Sequence, residues 1–164
     1  MTLLTSILTV LCAIGTAKEP LEVVTTTAMV ADITRQVAGE HANVQSLMGE
    51  GVDPHLYKPT AADAKVILGA DIIFYSGLML EGRMADIFFK AARMGKVVYP
   101  VTELLDEAYL LEPEEFEGHW DPHVWNDVTA WSKAVDAIAE AFCEQDPDNC
   151  ASYKANAKAY QKEL

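Results

Sequence analysis

The chain has 164 residues, 51% of them hydrophobic and 23% charged, enough apolar material for one domain with its own core and too much for a disordered acidic tail. Twelve Lys and Arg against twenty-five Asp and Glu give a formal net charge of −13. A surface of that sign repels phosphate backbones, so the reading has no nucleic acid among the partners, while a cation is a natural one.

Leu3 to Gly15 is an uncharged apolar run, followed by small residues up to Ala17 and then by Lys18-Glu19. The pattern is that of a secretory signal over residues 1–17, although Met1 to Ser6 carries no Lys or Arg. The run is short for a membrane span. A buried first helix or an uncleaved anchor is the alternative. Cys12 follows Leu11 rather than a small residue, which argues against a lipid-anchored start.

Beyond the leader, β-rich and helical patterns alternate. Leu21 to Thr26 predicts a strand, and Met29 to Val37 a helix closed by Gly39. Ala42 to Met48 predicts a second strand, broken by Gly49 and Gly51. Thr60-Ala61-Ala62-Asp63 has capping-box spacing and opens a helix to Gly69. The continuous apolar run Asp71 to Tyr75 is the pattern of a strand covered on both faces. Leu80 to Met94 predicts a helix ending at Gly95, and Lys96 to Tyr99 a fourth strand. Thr102 to Trp125 has no clear period and is long for a connection, which marks it as functional or disordered. Val128 to Gln145 is helical again, and Tyr153, Ala157, Tyr160 and Leu164 continue a helical spacing to the last residue, with no stop signal. The expectation is an α/β fold, a parallel sheet with helices on both faces, in a chain that ends inside an element. Cys143 and Cys150 flank a turn between helical segments. They pair as a small-loop disulfide in an oxidising compartment, or stand as unrelated thiols.

The most informative feature is a tripeptide present twice, Asp53-Pro54-His55 and Asp121-Pro122-His123. Both copies fall in loops leaving the carboxyl edge of the predicted sheet, where such folds bind ligands. Neutral imidazole is a good ligand for Zn²⁺, Mn²⁺ or Fe²⁺, and the prolines stiffen each loop before its histidine arrives. His55 and His123 are therefore the candidate metal ligands. Asp53 and Asp121 read as turn formers in preference to partners of the rings. Two ligands are too few for a complete site. His119, beside Glu114, Glu115 and Glu117, reads as part of a solvated acidic loop, and His41 as a surface residue. Trp120 and Trp125 either shield the site from water or pack on the sheet.

These stretches, with Thr25 to Asp32, Gly51 to Tyr57, Ala70 to Leu78 and Asp121 to Asp127, resemble the TroA-like solute-binding receptors of zinc and manganese ABC importers. The resemblance implies a two-lobe protein in which each lobe is an α/β sheet and a long helix joins them. It implies histidine ligands at His55 and His123, a third ligand (His or Glu) and a fourth (Asp) from the second lobe. On that reading residues 18–148 are the N-terminal lobe, 149–164 begin the joining helix, and the C-terminal lobe is absent. Leu111 to His119 is acidic where zinc-dedicated members carry a His-rich loop, which leans towards manganese or mixed specificity. The implied function is capture of a divalent metal in the periplasm or at the outer face of the cytoplasmic membrane, by a monomer that delivers it to an ABC permease. No enzyme is expected. A metal-dependent hydrolase built on the same histidines finds no catalytic signature here, and the turn Thr25-Thr26-Thr27-Ala28 lacks a dinucleotide-binding glycine pattern. An adhesin-like surface module is the remaining alternative.

Overall fold

The computed structural model describes residues 18–114 and 117–164; the leader, with Cys12 and the expected cleavage after Ala17, lies outside the described residues. Four strands form one sheet: β1 (Leu21–Thr25), β2 (Ala42–Ser46), β3 (Ile72–Tyr75) and β4 (Val97–Pro100). Their order is β2-β1-β3-β4 and every pairing is parallel. Leu21 to Thr25 lie opposite Ala42 to Ser46 on one side, while Val23 to Thr25 lie opposite Ile72 to Phe74 on the other. The two central strands are apolar on both faces because both are covered. Val23, Val24, Ile72, Ile73 and Phe74 are all buried.

Helices α1 (Ala28–Ala38), α4 (Val128–Gln145) and α5 (Cys150–Tyr160) cover one face. There Val23, Ile72 and Phe74 meet Ile33, Ile138 and Phe142. Helices α2 (Ala61–Gly69) and α3 (Ala85–Arg93) cover the other, where Val24 and Ile73 meet Ile67, Met84 and Phe88. Side-chain caps set three of the helix starts. Thr27 accepts from the Val30 N–H, and Thr60 and Asp63 form the reciprocal box that their spacing predicts. Asp127 accepts from Thr129 and Ala130.

Three boundaries differ from expectation by two residues or more. The second strand stops at Ser46, and Met48 is buried beyond it. The last helix ends at Tyr160, with Gln161 to Glu163 in turns. The third helix begins at Ala85 rather than Leu80, because Leu78 and Met79 take left-handed φ of 51° and 63° and a 3₁₀ turn follows over Gly82–Met84. The cause is Glu81. Its carboxylate turns back to accept from Ser76 N–H (2.8 Å), Gly77 N–H (3.2 Å) and the Thr26 hydroxyl (2.6 Å). Burial pushes its pKa up while these donors hold it down, with a net rise. Glu81 thus closes the gap between β1 and β3, where the strand order reverses.

Cys143 and Cys150 are disulfide-bonded, with Cα atoms 4.5 Å apart, and pin the α4–α5 corner. Within that corner Asp146 is buried and accepts from Lys18 Nζ (2.8 Å), Asn149 Nδ2 (2.7 Å) and Tyr153 OH (2.7 Å). Burial pulls its carboxyl upward, but the three donors together hold it down to about 2.

Candidate metal centre

Both Asp-Pro-His tripeptides emerge at the carboxyl edge of the sheet, the first after β2 and the second just before α4. They bring His55 Nε2 within 3.2 Å of His123 Nε2, with ring centroids 5.3 Å apart. Two nitrogens about 2.05 Å from a common ion and 3.2 Å from each other subtend roughly 103°, close to tetrahedral. The pair therefore has the spacing of two ligands on one ion.

Each loop is fastened differently. In the first, among the described residues, Asp53 Oδ1 accepts only from the His55 backbone N–H (2.9 Å), and the His55 ring stands exposed. Downstream, Tyr57 OH donates to Asp63 Oδ2 (2.9 Å), tying that loop to the start of α2. Burial pulls the Asp63 carboxyl upward, yet the Thr60 and Tyr57 donors leave it below its ordinary value. In the second loop Asp121 Oδ1 accepts from both the His123 N–H (2.9 Å) and ring Nδ1–H (2.6 Å). The backbone bond above all, with the ring bond beside it, holds the Asp121 carboxyl below the usual range. Trp125 lies edge-on to the His123 ring at 5.2 Å. A carboxylate on Nδ1–H fixes the tautomer, so the His123 Nε2 lone pair points at His55 and the His55 Nε2–H donates to it.

Asp121 is thus a partner of the ring and not merely a turn former, a correction to the sequence reading; Asp53 keeps the turn role. Its position two residues before a histidine was visible in the sequence, but both tripeptides present that spacing equally. His41 also departs from its surface reading: its Nε2 lies 3.0 Å from Ser152 Oγ and its ring meets Tyr153 edge-on, joining α1's end to α5. His119 is exposed and stands apart from the histidine pair. Glu81 went unrecognised because it sits in an apolar, helix-like stretch. Among the described residues no group of three or more His, Cys, Asp or Glu side chains is arranged to hold a metal.

A parallel α/β unit brings two imidazoles together above its carboxyl edge, and imidazole nitrogen is donor chemistry that suits a transition metal. Residues 23–164 match the family model described as zinc-uptake complex component A, periplasmic (ZnuA), and the chain belongs to that family. It is 39% identical over 148 residues to the manganese-binding lipoprotein MntA of Bacillus subtilis, covering 90% of this chain and 48% of that protein. It is 41% identical over 142 residues to the zinc-binding protein TroA of Treponema pallidum, covering 87% and 45%. The solved structure of that periplasmic zinc-binding TroA superposes with a TM-score of 0.81 at 39% identity, covering 87% of this chain and 50% of the other. The Mn-bound periplasmic metal-binding protein of Candidatus Liberibacter asiaticus gives 0.78 at 29% identity, over 89% and 53%. The chain spans about half the length of the curated relatives it matches.

Proposed function

We propose that this chain forms the metal-capturing N-terminal lobe of an exported receptor that binds Zn²⁺ or Mn²⁺ and passes it to an ABC permease. The observation that carries the reading is the convergence of His55 and His123 Nε2 at 3.2 Å, with a near-tetrahedral opening for one ion. It is supported by the relatives. MntA is named for manganese and TroA for zinc, and a Streptococcus gordonii relative is a manganese ABC transporter substrate-binding lipoprotein.

On this reading the metal is cargo, and no covalent bond of a substrate is made or broken. His55 and His123 supply two imidazoles. Asp121 orients the His123 ring through its Nδ1–H, and Trp125 limits the ring's rotation. The remaining ligands belong to a second lobe. A carboxylate among them favours Mn²⁺, and a further imidazole favours Zn²⁺. The receptor works as a monomer outside the cytoplasmic membrane. Among the described residues no helix is long and apolar enough to cross a membrane.

Calorimetric titration of Zn²⁺ into the chain tests the lobe directly. Two imidazoles alone give a Kd on the order of 10 μM or weaker, and His123→Ala abolishes the heat. Submicromolar affinity in the chain, or an unchanged isotherm in the variant, overturns the assignment.

A further inference from the structure

On the β4 side of the same sheet edge, a cavity of about 310 Å³ lies between α3 and the ends of β3 and β4, apart from the histidines. Tyr75 and Phe88, stacked with centroids 4.4 Å apart, form its wall. Met79 and Phe89, 71% and 70% exposed, stand at its mouth. Its two charged groups are Glu81, buried, and Glu103, exposed. No Lys, Arg or His lines it, and neither carboxylate is in an ion pair among the described residues. Both carboxylates also shape the rim. Glu81 accepts from Ser76 and Gly77 N–H, while Glu103 Oε1 accepts from Leu78 N–H at 3.0 Å. Between them they hold Leu78 and Met79 in left-handed backbone conformations that such side chains rarely adopt, which projects Met79 outward.

Aromatic faces with an unpaired carboxylate are the two elements that recognise an organic cation. Burial together with the charges of Glu103 and Glu81 pushes the Tyr75 phenol up to about 12, so the wall remains a neutral aromatic. Bulky exposed apolar side chains around a charged recess are the make-up of a protein interface, whereas a free solute is more fully enclosed.

We propose that this cavity docks an arginine side chain presented by a partner protein, with its stem against Phe88 and Met79 and its guanidinium at Glu103. The site is independent of the metal reading. It is tested on the whole chain carrying ¹³C-methyl methionine, with the Met79 signal assigned from Met79→Leu. The probes are the capped tripeptide acetyl-glycyl-arginyl-glycine amide and its uncharged citrulline counterpart. The expected result is a saturable Met79 shift with the arginine peptide only. Glu103→Gln, which keeps an acceptor for Leu78 N–H, weakens it by about fivefold or more. No saturable shift, an equal response to citrulline, or an unaffected Glu103→Gln overturns the proposal. Tighter binding of agmatine than of the peptide assigns the cavity to a free solute and equally overturns docking. Zn²⁺ titration of the Glu103→Gln sample stays at the wild-type value, so failure here is distinguishable from failure of the metal reading.

Discussion

The two Asp-Pro-His loops have the same three residues and different structures. In the second, one carboxylate oxygen grips both the backbone and the ring of His123; in the first, the aspartate reaches only the backbone and the ring stays exposed. On the proposed reading, identical tripeptides thus yield one imidazole that is set before a metal arrives and one that must adjust. The difference comes from the surroundings. The second loop has Trp125 against its ring and a backbone bond from Asp121 N–H to Leu111 O (2.7 Å), whereas the first has local turn bonds around its histidine and is tied to the start of α2 beyond it, through Tyr57.

Removing either ring has the largest expected effect: His55→Ala and His123→Ala each abolish Zn²⁺ binding by calorimetry, and survival of binding in one variant would reduce the pair to a single ligand. The aspartates should then separate. Asp121→Asn weakens metal affinity by roughly 10- to 100-fold, the usual cost of losing a carboxylate behind a ligating histidine, while Asp53→Asn changes it only slightly. Equal losses would break the comparison. A smaller signal is tautomeric. Nitrogen-15 spectra of the metal-free chain should show His123 protonated at Nδ1 and His55 at Nε2, with only His55 exchanging tautomer when Zn²⁺ is added. The reverse assignment would make His55 the preset ligand.

An acid titration separates the site from its scaffold. The Asp146 carboxyl is held down to about 2, so its contribution, on the order of 2 kcal/mol, is present above about pH 4 and is lost as pH falls towards 2. Asp146→Asn should remove that part of the acid dependence of the melting temperature. An unchanged slope between pH 4 and 2 would show that the α4–α5 corner does not depend on this charge.

Much of the fold was legible because its signals are local. The apolar run at Ile72–Phe74 marks a strand covered on both faces, and Thr60 with Asp63 marks a helix start; both stand where the pattern puts them. The start of α3 was not legible, because it depends on Glu81 folding back across two strands, a contact between residues 55 positions apart for Thr26. The histidine pair was legible through repetition of a tripeptide. The inequality of the two aspartates was not, since it arises from what packs around each loop.

Glu81 has a wider consequence. Backbone N–H groups at the place where a parallel sheet reverses its strand order commonly seat a phosphate or another anion. Here those of Ser76 and Gly77, with the Thr26 hydroxyl, already serve a carboxylate of the same chain. A tethered group has an effective concentration in the millimolar range or above, and it never diffuses away. A nucleotide or phosphate competing for that niche would face both this permanent rival and its negative charge, so anions are turned away at the sheet while the loops above remain free for a cation.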